Sequence, residues 1–95
     1  TMLEQHAAVA RVHYPGLASH PAAALARAQM RDFGAVVTFD LRAGSDAARR
    51  FADALQLFTT TASLGSTESL VLPPQMMQPR DFTPEQLAAC GVGPG

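Results

Sequence analysis

The stretch GAVVTFDLRAGSDAARRFADALQLF, residues 34–58, most constrains the fold, because two hydrophobic periodicities meet in it. Val37, Phe39 and Leu41 alternate with Val36, Thr38 and Asp40, the period-two pattern of a strand, and Gly34 and Gly44 bracket the run. Ala47, Phe51, Ala54 and Leu55 then fall at i, i+4, i+7 and i+8, the stripe of an amphipathic helix, with Arg49, Arg50 and Asp53 away from it. Ser45 is the expected N-cap, and Asp46 stands at the positive end of the helix dipole. A strand running straight into such a helix commits the chain to a mixed α/β architecture.

The flanking segments extend the alternation. TMLEQHAAV reads as the last turns of a helix, and VARVHY as a short strand stopped by Pro15 and Gly16 in YPGL. SHPAAALARAQM predicts a helix capped by Ser19 or His20, with Ala22, Leu25, Ala28 and Gln29 at helical spacing. Beyond residue 58, LFTTTASL predicts a strand, ESLVLPP a shorter one, and PPQMMQPR an irregular excursion. Thr83, Pro84 and Gln86 announce a last short helix through a capping box. The order predicts an α/β (α+β) two-layer sandwich: one small sheet with helices packed on one face. The uncapped opening helix and the closing GVGPG predict a truncated domain over 1–95, with a final strand due just after Gly95.

Composition narrows the function. A chain of 95 residues suits one domain, and 47% hydrophobic content with 16% charge favours a packed globule. Seven basic against eight acidic residues leave no basic face for nucleic acid. No apolar run approaches the ~20 residues of a membrane span, and the N-terminus does not read as a signal peptide. The lone Cys90 makes no internal disulfide, which fits a reducing, cytoplasmic setting. Every basic residue is arginine, so chemistry that needs a lysine amine, such as a Schiff base, is not completed by this polypeptide.

The residues with chemical potential mostly have plain explanations. His6, His13 and His20 recur at sevenfold spacing, yet fall on a helix end, a strand and a cap, so no metal site is expected. Ser63, Ser66 and Ser69 have neither a nucleophile-elbow pattern nor an indicated base, and no catalytic residue is assigned. Glu68 reads as a solvated loop carboxylate, Met76 and Met77 as core filling or a pocket wall, and Cys90 as a small buried hydrophobe. From the residues alone, TTTASLGSTESLVLPP (59–74) is a hydroxyl-rich loop whose chemistry stays open.

Four ordered stretches carry more: VHYPGLASHP (12–21), QMRDFGAVVTFDL (29–41), LFTTTASLGSTESL (57–70) and PPQMM (73–77). Together they resemble the C-terminal domain of the Cys/Met-metabolism enzymes that depend on pyridoxal phosphate (PLP), a family of cystathionine synthases and lyases, methionine γ-lyases and O-acylhomoserine sulfhydrylases. The resemblance implies the small C-terminal domain of the aspartate-aminotransferase-like PLP-dependent transferase fold. It implies a longer, homo-oligomeric lyase or transferase acting on cystathionine, methionine or an O-acylhomoserine by β/γ-elimination or replacement. The large PLP-binding domain and its lysine would lie outside this chain, as would a carboxylate-binding arginine on the strand after Gly95. No cofactor is then expected on these 95 residues, which should be inactive alone. Ser63 is implied to help hold the α-carboxylate of a small amino-acid substrate, with Ala62 and Leu64 beside it in the substrate-binding loop.

Three positions depart from the family pattern. Ala62 stands where members carry glutamate, tyrosine or valine, Ser66 where a second glycine is common, and Pro73 where histidine is frequent. Ala62 leans towards the apolar group, the methionine γ-lyases and sulfhydrylases. Two other classes compete with an enzyme segment: a stand-alone α/β ligand-binding module, and a structural interaction domain sharing only the fold. Natural chain ends would mark the former, and edge-to-edge pairing of copies the latter.

Overall fold

The structure, a computed structural model, describes residues 2–74 and 82–93. In chain order the elements are α1 (Met2–Gln5), β1 (Val9–His13), α2 (Ala23–Gln29), β2 (Thr38–Leu41), α3 (Gly44–Ala54), β3 (Thr59–Thr60), β4 (Leu70–Val71) and α4 (Pro84–Ala89). The alternation expected from periodicity is present, and the chain is a small mixed α/β piece. It divides into two units, one ending at Asp40 and the other beginning at Leu41.

In place of one small sheet, the described residues form two two-stranded sheets, β1–β2 and β3–β4. The expected strand at 36–41 shortens to Thr38–Leu41, leaving Val36 and Val37 exposed before it. Alternation reports which side chains would share a face, but a strand also needs a neighbour to bond its backbone. Likewise LFTTTASL contributes only Thr59 and Thr60 to a ladder, and Leu57 is 88% exposed.

In the first unit α1 packs on β1, and the buried side chains are Val9, Ala23 and Ala26. The two alanines are three apart, so one face of α2 is inward. It is not the face through Ala22 and Leu25, since Leu25 is 57% exposed. Each of these methyls contributes only about 0.8 kcal/mol of burial. Neither expected side chain caps the helix. The Ser19 hydroxyl donates to Glu4 Oε1 at 2.7 Å, and His20 Nδ1 accepts the Ala22 N–H at 3.1 Å, one residue before the helix starts. At the YPGL turn, Tyr14 and Phe33 meet edge to face with ring centroids 6.4 Å apart, and the Tyr14 hydroxyl donates to the Gly34 carbonyl at 3.0 Å.

In the second unit α3 buries Ala48 and Ala52, four apart, while Phe51 stays partly exposed. The inward stripe is thus rotated by about one residue from the one through Ala47 and Phe51. Ser45 falls within Gly44–Ala54, and no side-chain hydrogen bond caps the start of this helix. Asp46 keeps its place in the first turn and pairs with Arg49 at 3.6 Å on the exposed face. The capping box of α4 is complete: Thr83 Oγ1 accepts the Gln86 N–H at 3.3 Å, and the Thr83 N–H donates to Gln86 Oε1 at 2.8 Å. Among the described residues no helix is long and apolar enough to cross a membrane.

Candidate functional site

The hydroxyl-rich loop emerges from a short parallel ladder. Thr59 pairs with Leu70 and Thr60 with Val71, and the Thr59 N–H donates to the Ser69 carbonyl at 2.9 Å. Both β-branched and apolar residues favour the pleat, whereas the Gly, Ser and Thr residues between them favour turns. Residues 61–69 therefore run outside the ladder, all of them exposed. Gly65 adopts a left-handed φ of 80°, which a side chain would strain, and Ser66 Oγ accepts the Glu68 N–H at 3.4 Å.

Ala62, Ser63 and Leu64 sit together on the exposed entry to this turn, Leu64 at 84% exposure. Among the described residues the Ser63 hydroxyl makes no hydrogen bond, so its donor is free for a ligand. Glu68 is the only ionisable residue in 59–74, and it is an anion. The loop thus offers neutral donors but no cation, so a bound carboxylate needs its positive partner from elsewhere.

The three histidines have separate duties. His6 Nδ1 accepts the Ala8 N–H at 3.2 Å, His20 Nδ1 closes the turn before α2, and His13 Nε2 lies 2.9 Å from Asp40 Oδ2. Among the described residues no three His, Cys, Asp or Glu side chains converge as a metal site. The His13–Asp40 pair was not apparent in the sequence; its only signal is a polar residue near the end of each strand. Cys90, expected to be buried, is a free and exposed thiol, because it follows α4 at its C-cap and that helix buries no residue. Met76 and Met77 lie outside the described residues.

Comparison with known proteins follows the same lines. The family model described as Cys/Met metabolism PLP-dependent enzyme matches residues 1–95. The L-methionine gamma-lyase of Pseudomonas putida is 48% identical over 84 residues, covering 88% of this chain and 21% of the relative. The O-succinylhomoserine sulfhydrylase of Pseudomonas aeruginosa is 43% identical over 91 residues, covering 96% of this chain and 23% of the relative. A crystal structure of cystathionine gamma synthase from Xanthomonas oryzae, in complex with aminoacrylate and cysteine, superposes with a TM-score of 0.86 at 45% identity. That match covers 99% of this chain and 24% of the other. The chain therefore spans less than a quarter of the length of these three relatives.

Proposed function

Because the chain belongs to the Cys/Met metabolism family of PLP-dependent enzymes, we propose that it forms the substrate-carboxylate side of the active site in a longer trans-sulfuration enzyme. The parent acts on a sulfur amino acid or an activated homoserine, by β/γ-elimination or replacement. Within it, these residues make the C-terminal small domain of an aspartate-aminotransferase-like fold. The parent is, on the same reading, a cytoplasmic homo-oligomer.

The residues present do not fit PLP as a self-contained site. Its covalent anchor is a lysine amine, and the 95 residues contain none. The chain's own contribution is recognition. Ser63 donates its hydroxyl to one carboxylate oxygen of the substrate, the Leu64 backbone N–H reaches the same group, and Ala62 shapes the apolar wall beside them. An arginine from outside these residues supplies the opposite charge. In isolation the segment neither binds the cofactor nor turns over substrate.

The observation that carries this reading is the exposed Ser63, whose hydroxyl makes no hydrogen bond among the described residues, in a chain that the family model matches over residues 1–95. The test is to express the full open reading frame and assay it on L-methionine, cystathionine and O-succinylhomoserine, alongside Ser63→Ala. Turnover with a visible-band cofactor spectrum is expected, and an open reading frame without an upstream lysine motif overturns the reading.

A further inference from the structure

We propose that Leu57 and Phe58 form a docking face covered by the rest of the parent's own chain, an inference that rests on the longer parent proposed above. The two residues lie side by side in the bend that leads into β3, and both stay in solvent, at 88% and 47% exposure. The second unit is built the wrong way round for an independent domain. Among its described residues the buried side chains are Ala48, Ala52 and Pro73, all small, whereas Leu57, Phe58, Leu64 and Phe82 remain outside. Burial favours the largest apolar areas, so leucine and phenylalanine ordinarily fill a core before alanine does.

The ladder makes the same demand. β3 and β4 run parallel, and parallel strands occur almost only where both faces of the sheet are covered. The occupant follows from how much chain is outside. These residues match 21%, 23% and 24% of three relatives, so more than three quarters of such a parent lies beyond them. A segment of the same chain meets the face at high effective concentration, whereas a second copy must first give up the freedom lost on association.

The experiment is hydroxyl-radical footprinting of the wild-type full-length enzyme, read at Leu57 and Phe58 by peptide mass spectrometry. Left at 88% exposure, Leu57 would oxidise at nearly the rate of the denatured chain. Covered, it is expected to oxidise about tenfold more slowly than in the denatured chain. An unprotected Leu57 overturns the proposal. A photo-crosslinking variant, Leu57→p-benzoylphenylalanine, identifies the cover: an intrachain link to residues outside 1–95 is expected, and a dimer-mass product overturns the proposal. If Leu57 is unprotected while Ser63→Ala raises KM, the docking face falls and the carboxylate reading survives. A protected, intrachain-linked position 57 with unchanged KM in Ser63→Ala gives the reverse.

Discussion

His13 Nε2 and Asp40 Oδ2 lie 2.9 Å apart, tying β1 to β2 through side chains 27 residues distant in sequence. Both groups are roughly three-quarters withdrawn from solvent, at 30% and 27% exposure. Their contact is therefore less screened than a surface pair, though far from a buried one. Replacing either partner, as in His13→Ala or Asp40→Ala, is expected to destabilise the fold by about 1 kcal/mol. A double-mutant cycle in urea measures the coupling; strictly additive losses would show that the pair contributes nothing of its own.

Gly16 is a packing requirement of the same unit. A Cβ added there would come within 2.7 Å of Tyr14 Cε1 and 2.8 Å of Phe33 Cδ2. The rings must part to admit even a methyl, and the Tyr14 bond to the Gly34 carbonyl goes with them. Gly16→Ala is expected to cost about 1–3 kcal/mol. Tyr14 is the only tyrosine and the chain has no tryptophan, so intrinsic fluorescence reports on this corner directly. Unchanged emission and melting in Gly16→Ala would rule the clash out.

At the start of α4 the Glu85 carboxyl is held below its ordinary value, first by a hydrogen bond from the Thr83 side chain and then by its own backbone N–H. A lowered pKa in the folded state means the charged form is the stabilising one. That contribution is present above the ordinary carboxyl value and is lost as pH falls through the depressed one. Amide signals of the first turn are expected to report fraying only on acidification, and Glu85→Gln to remove that dependence. Thr83→Ala, which deletes both the cap and the hydroxyl that holds the Glu85 carboxylate, is expected to cost about 1 kcal/mol above the ordinary carboxyl value and less on acidification.

Exposure of Cys90 predicts that a thiol reagent labels the folded chain stoichiometrically without denaturant. Labelling that waits for urea would instead place the sulfur in an apolar pocket.

On the proposed carboxylate-binding role, Ser63→Ala in the full-length enzyme would remove a hydrogen bond to a charged group, an interaction of about 1.5–3 kcal/mol. A rise in KM of roughly ten- to a hundredfold is expected from steady-state kinetics with each candidate substrate.

Elements whose signal is local were legible in the sequence. The capping box at Thr83 and Gln86 states its own geometry, and VARVH alternates as a strand does. What was not legible depended on neighbours. The inward face of α2 runs through Ala23 and Ala26, and that of α3 through Ala48 and Ala52. Hydrophobicity ranks Leu25 and Phe51 above those alanines, so side-chain type alone does not tell which face turns inward. Serine favours the cap position, yet no side-chain hydrogen bond caps α3. The role proposed for Ser63 rests on motif order and resemblance. Local physics adds only that its hydroxyl is exposed and uncommitted.

The two-residue ladder beneath residues 61–69 has an engineering consequence. Closing a flexible loop costs only about 0.6 kcal/mol more for each doubling of its length. With Thr59 and Leu70 held as fixed posts, residues can be inserted after Gly65 at little thermodynamic expense, provided the ladder survives. The span between the posts is thus a natural place to vary reach and chemistry without redesigning the scaffold below.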